Sequence, residues 1–335
     1  MNSNKKIGLV IQGPLLSIGR SGTKLHQSVQ ALQKEGLVEF DCRENIQRIV
    51  DEFGHLFDMI VVSTWDNEVK GGDGWPGVKL ISVPDPGGIK QLGHYKDNNK
   101  HRQFISTLNG VLELEKSGIE YAVKTRTDTY LDFKELVESF FADVEERKNS
   151  NAICATAVHG PNYLLHDLYF AATTKALKEF CEAIESFDKF EFISSVHREM
   201  VLKHAYAHYR EIIDVPDWAY FPKFPPDGAS AETRKIFDYM FRNVFFAFNP
   251  EIFRSTLWRG EHFPPEHVDS LVEVKQKYRK YNIPGFISTD WRRYHHFLLQ
   301  TSGRKIILPD KAKAMLGKLG WSLWNLVRKL GRMLR

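Results

Sequence analysis

No stretch of this 335-residue chain approaches the roughly 20 consecutive apolar residues needed to cross a bilayer, so a membrane-spanning protein is not expected. An export signal is not expected either. Lys5 and Lys6 precede the apolar run Ile7 to Ile11, but Gln12-Gly13-Pro14 ends it far too early. Cysteine is sparse: Cys42, Cys154 and Cys181 have neither the number nor the spacing of a disulfide framework or a zinc site, which points to a reducing, cytoplasmic setting. No unit repeats along the chain, and no break in composition forces a second domain before Pro309. Acid is missing from one region. Lys311, Lys313, Lys318, Arg328, Lys329, Arg332 and Arg335 occupy the last stretch without an Asp or Glu among them. The formal net charge of +4 therefore belongs to that stretch, and the rest of the chain carries about −3. A balanced body of this kind argues against a nucleic-acid-binding surface, which needs a distributed basic face.

What is present is ordinary globular composition, 42% hydrophobic and 26% charged, enriched in rings by 23 Phe, 12 Tyr and 7 Trp. Rings stack on the apolar faces of sugars, but a typical Phe fills a core. The first half alternates strand and helix patterns. The continuous apolar run at 7–11 and the segments 59–65, 78–83 and 121–128 read as strands, separated by helical spacing at 42–57 and at 99–116, where Phe104, Leu108, Val111 and Leu114 share a face. Such alternation predicts an α/β fold, a mostly parallel sheet flanked by helices. Further on, 152–158 reads as a strand, 175–187 and 197–209 as helices, and 221–231 as a Pro-rich loop.

Ligands of such sheets bind outside the carboxyl ends of the strands. Four polar clusters fall there: Gln12-Gly13-Pro14, Thr64-Trp65-Asp66, Asp85-Pro86-Gly87 and Arg126-Thr127-Asp128. A strand-terminal Asp beside an Arg suits a diphosphate, held either through a Mn²⁺ or Mg²⁺ ion on Asp128 or directly by Arg126. The same pair also suits a capped turn. Asn98 or Asn99 fits the N-cap of the helix that follows, with Arg102 and Gln103 in its first turn, where free N–H groups favour anions.

Five segments in order, Val10-Ile11-Gln12-Gly13-Pro14, Ser63-Thr64-Trp65, Asp85-Pro86-Gly87, Asn99 with Arg102-Gln103, and Lys124-Thr125-Arg126-Thr127-Asp128, resemble the WavE-type lipopolysaccharide-synthesis family. The resemblance spans about residues 7–170, with His166 to Phe170 as a later acidic block. It implies a GT-A-like (Rossmann-like) glycosyltransferase that moves a sugar from a nucleotide-activated donor to a lipopolysaccharide core, O-antigen or capsule acceptor. It also implies that Gln12, Gly13, Pro14, Thr64, Trp65, Asp85, Asn99, Arg102, Gln103, Lys124 and Arg126 bind substrate. The chain departs from the metal motif of that fold, carrying Arg126 where an Asp-x-Asp signature has its first acid. A divalent cation, Mn²⁺ or Mg²⁺, is thus a candidate cofactor and not a requirement, with Asp128 and His296 as its candidate ligands.

Sugar transfer with inversion needs a carboxylate to take the acceptor's proton. Asp167 and Glu199 are the candidates. Asp167 precedes an apolar run, which predicts a partly buried acid of raised pKa. Glu199 lies among His197, Arg198, Lys203 and His204, a pattern that also reads as a solvated helix face, and Asp290 with His295 and His296 could close the far side of the site. From Met315 to Leu334 apolar residues recur at helical spacing around Trp321 and Trp324. A basic amphipathic helix over 310–335 suits an anionic membrane surface, which predicts a catalytic domain at 1–309 and a peripheral position on the inner face of the inner membrane. Two other classes remain open on the residues alone: a phosphotransferase or phosphohydrolase of surface-glycan assembly, and a non-catalytic assembly scaffold.

Overall fold

The computed structural model describes residues 5–24, 37–88, 99–147, 151–159, 164–186, 196–213 and most of 236–265, with residue 268. The expectations placed on 221–231, Asp290, His295, His296 and 310–335 lie outside the described residues.

Seven strands form one mixed sheet: β1 (Ile7–Gln12), β4 (Met59–Trp65), β5 (Val78–Val83), β6 (Tyr121–Arg126), β8 (Ile153–His159), β9 (Leu164–Thr173) and β10 (Phe245–Ala247), in the order β10-β8-β9-β6-β1-β4-β5. β1 lies between β4 and β6, parallel to both, and all six of its residues are buried, which is why Ile7 to Ile11 is an unbroken apolar run. β5 extends the parallel set and β10 pairs parallel with β8. β9 runs antiparallel to both β6 and β8, so the expected mostly parallel sheet is mixed at this point. Two small sheets flank the main one, β2 (Leu16–Gly19) with β3 (Val38–Asp41), and β7 (Thr129–Tyr130) with the hairpin β11 (Leu257–Trp258) and β12 (Glu261–His262).

Helices cover both faces. On one lie α2 (Lys100–Lys116), α4 (Thr174–Glu182) and α5 (Val196–His208), packing Phe104, Leu108, Val111, Leu114, Leu177, Phe180 and Met200 against Val10, Ala122 and Phe170. On the other lie α1 (Cys42–Phe53) and α3 (Phe133–Arg147), whose Ile46, Ile49, Leu136 and Phe140 meet Leu9, Ile11 and Val123. α1 starts on Asp41, which accepts from the Arg43 N–H at 3.0 Å, and it ends at Phe53, where Gly54–Leu56 tightens into a 3₁₀ turn, earlier than the spacing suggested. Gly110 lets α2 lie close on β1, since an added Cβ would overlap Val10. Among the described residues no helix is long and apolar enough to cross a membrane.

Candidate functional site

The parallel register sets Gln12 beside Arg126 and Ser63, so the motifs that end β1, β6 and β4 share one edge of the sheet. Gln12 is buried, and its Oε1 accepts from Ser106 Oγ of α2 at 2.8 Å. Gly13 takes φ +132°, a left-handed conformation open to glycine, and its N–H reaches Ser63 O at 3.1 Å. Thr127 then closes the turn by donating its hydroxyl to Pro14 O at 2.8 Å. Thr64 and Trp65 are buried. Gln12, Thr64 and Trp65, expected to contact substrate, are thus packed into this edge of the sheet.

Asp128, expected to hold a metal, is enclosed instead. It is 2% exposed, and Arg126 donates to it through both Nε (2.8 Å) and Nη2 (2.9 Å). Ser17 Oγ at 2.9 Å and Trp258 Nε1 at 3.2 Å converge on Oδ2, and Arg259 Nη2 lies 3.1 Å from the same oxygen. Burial pulls this carboxyl upward, but the two guanidinium groups and the Ser17 hydroxyl overcome it and hold it at about 2. A cation on Asp128 would have to displace two arginines, so Asp128 does not fit the role of metal ligand. Among the described residues no group of three or more His, Cys, Asp or Glu could hold a metal ion.

Trp258 and Arg259 have no counterpart among the residues expected from sequence. They reach Asp128 from 130 residues downstream, at the tip of the β11–β12 hairpin. The two residues of that turn, Arg259 (φ 50°) and Gly260 (φ 76°), both take positive φ, as the tight turn of a twisted hairpin requires. Arginine is uncommon in that conformation. It is fixed there by its own N–H to Asp128 O at 2.8 Å, by Nε to Ser17 Oγ at 2.9 Å and by Nη1 to Arg20 O.

A second cluster lies on the α2 face. Asp167 of β9 pairs with His197 Nε2 of α5 at 3.2 Å, and Lys100 Nζ stands 3.1 Å from His197 Nδ1. Lys124 Nζ and Gln103 Nε2 both donate to the Asp167 carbonyl, at 2.5 and 2.8 Å. Burial and the neighbouring Lys100 push His197 down to about 4, so the ring is neutral, with Nε2–H donating to Asp167 and Nδ1 accepting from the ammonium of Lys100. Burial alone would raise Asp167, yet the His197 hydrogen bond with Lys100 and Lys124 holds it well below the ordinary carboxylate value. This overturns the raised pKa expected of Asp167. Lys124 is fully buried, and desolvation brings it down to about 7 against the pull of Asp167. The solvated face expected around Glu199 is corrected too, because His197, Lys203 and His204 of α5 are all buried. Glu199 lies on α5 and nothing is described of its side chain.

The clusters form one electrostatic unit, since Arg126 is felt by Asp167, Lys100 and Lys124. Arg126, Arg259, Lys100 and Lys124 face two carboxylates, a surplus of two positive charges when both lysines are protonated. At the opening of α2, Arg102 forks onto Asp85 (2.6 and 2.7 Å) and donates to Asn99 Oδ1 at 3.0 Å. Asn99 thus occupies the N-cap position without capping by its side chain, contrary to expectation. These contacts bring Asp85 to Asn99 and Arg102, which lie beside Gln103 at the start of α2.

Residues 7–169 match the family model described as WavE lipopolysaccharide synthesis. The chain matches no curated protein. Among solved structures it is similar to a mannose-1-phosphate geranyltransferase from Thermus thermophilus, with 14% identity over 55% of this chain and 66% of that one at a TM-score of 0.30. It is also similar to a 4-diphosphocytidyl-2C-methyl-D-erythritol synthase from Anaerococcus prevotii, with 9% identity over 81% and 99% of the two chains at a TM-score of 0.32. Both scores lie far below 0.5, and the architecture rests on its own topology.

Proposed function

We propose, from the match of residues 7–169 to the WavE lipopolysaccharide synthesis family, that the protein is a GT-A-like glycosyltransferase, taking a sugar from a nucleotide-activated donor to a lipopolysaccharide core, O-antigen or capsule acceptor. The observation that carries the reading is the cationic surplus at the carboxyl edge of the parallel strands, where the anionic end of a nucleotide sugar is best accommodated. Arg126, whose side chain is 22% exposed, faces the donor's phosphates, and Lys100 and Lys124 add charge behind it to the extent that they are protonated, burial having brought Lys124 down to about 7. Arg102 with Asp85 and Asn99 borders the entrance.

Of the two carboxylates, Asp167 keeps 14% side-chain exposure against 1% for Asp128, so Asp167 is the one able to meet an acceptor hydroxyl. It is ionised at neutral pH, and His197 and Lys100 fix its orientation. Proton transfer from the acceptor hydroxyl to Asp167 would accompany formation of the new glycosidic bond and departure of the nucleotide. The test is a panel of nucleotide sugars offered to the full chain with lipopolysaccharide acceptors. Nucleotide release in proportion to new glycosidic bonds supports the reading, and nucleotide release without sugar transfer would place the protein among phosphohydrolases.

The sequence pattern of residues 310–335 supports a separate role as an amphipathic helix on the anionic inner leaflet, beside a catalytic domain at 1–309. Each basic residue near such a surface contributes about 1 kcal/mol at low salt. Replacing Arg328, Lys329 and Arg332 together by Glu in the full chain should weaken co-sedimentation with anionic vesicles by about 100-fold or more, an effect that shrinks as salt rises. Equal sedimentation of the triple variant and the parent would remove the membrane role.

A further inference from the structure

We propose that this edge binds the diphosphate without a divalent cation, the fixed guanidinium of Arg126 standing where a metal-dependent site would hold its ion. The inference rests on the transferase reading above and specifies how that site handles charge. In a metal site, a strand-end carboxylate faces outward and lends its oxygens to a cation that in turn binds phosphate. Here the carboxylate faces inward. Asp128 is engaged by two guanidinium groups, a hydroxyl and an indole N–H, so its charge serves to position cations that belong to the chain itself.

The arrangement satisfies what direct anion binding requires. Arg126 forks onto Asp128 through Nε and Nη2, and neither bond involves Nη1, so the guanidinium is preorganised with donor capacity to spare. It stays charged at any working pH, because the adjacent Asp128 outweighs the effect of burial. Arg259 supplies the second positive charge that stops Asp128 from merely neutralising Arg126. The cost of that second charge is visible in the backbone: an arginine stands at φ 50° in a turn that glycine or asparagine would occupy more easily. The first turn of α2 holds no acidic residue of its own, and Lys100 and Arg102 lie there, although Arg102 is already paired with Asp85.

Isothermal titration of the full chain with inorganic pyrophosphate, in EDTA and in Mn²⁺, tests this directly. Binding is expected in EDTA with an affinity within about threefold of that in Mn²⁺. Arg126→Gln should lower affinity at least tenfold. Arg259→Gly, which suits the turn's backbone and removes one cation while leaving the Arg126–Asp128 pair intact, should lower it severalfold, and it keeps the test usable if Arg126→Gln fails to fold. Binding seen only with Mn²⁺ overturns the metal-free inference and leaves the transferase reading standing. Wild-type affinity in both variants also overturns it. Absence of pyrophosphate binding in either buffer defeats the donor reading itself.

Discussion

Asp167→Asn is expected to reduce turnover by roughly 10²- to 10⁴-fold, the range for loss of a positioned general base, with the KM for the donor nearly unchanged. The amide keeps an oxygen for His197 Nε2–H, and the main-chain carbonyl that receives Lys124 and Gln103 is untouched, so the local hydrogen bonds survive. The lost negative charge is absorbed by the lysines. Lys124 already sits near 7 despite the pull of Asp167, and without that pull it sheds its proton and stays buried as a neutral amine. The melting temperature at pH 7.5 should therefore move little. Steady-state kinetics and thermal melts check the two halves separately, and wild-type kcat in this variant would remove Asp167 from the reaction.

Asp128→Asn should behave in the opposite way, losing stability first. Arg126 and Arg259 cannot deprotonate, so both would stay charged in a buried space with no counter-ion. Leaving such charges unpaired costs about 3–5 kcal/mol, on the order of 10 °C in melting temperature for a chain of this size. The pH dependence carries the same signature. The folded-state value of Asp128, about 2, lies below its ordinary 3.8, so its stabilisation is complete above about pH 4 and is lost as pH falls toward 2. The wild type should lose about 2 kcal/mol across that interval from this group alone, and Asp128→Asn should not. Denaturant titrations between pH 2.5 and 5 measure the difference, and equal stability of the two proteins at pH 7 would contradict the enclosed ion cluster.

The sheet was legible where burial on both faces forces a largely apolar run, as in β1 and β4, and where such a run leads into a polar motif, as in β6. β9 escaped because the polar pair His166-Asp167 interrupts it after Leu164-Leu165 and reads as a motif between loops, whereas its antiparallel partners cover the apolar remainder. The strand ends were legible as places and misleading as roles. Arg126 and Asp128 were identified, but a carboxylate facing a metal and one facing two arginines have the same sequence. The second arginine lies 131 residues away from Asp128, in a two-residue turn without periodicity. His197 was hidden for another reason. A helix written His-Arg-Glu with Lys203 and His204 looks solvated, and only the tertiary contact with Asp167 and Phe104 makes its polar face an interior one.

Asp128 joins Ser17, 111 residues before it, to Trp258, 130 residues after it. During synthesis the chain reaches Asp128 with Arg126 and Ser17 already made, whereas the β11–β12 hairpin arrives much later. Closing so long a loop adds little entropy beyond a shorter one, since each doubling of length costs only about 0.6 kcal/mol, so the delay is one of order and not of energy. Until residue 259 is made, the strand-end carboxylate has a single arginine and the edge carries one positive charge fewer. The anion site would then be among the last features the nascent chain acquires, assembled after the sheet that carries it.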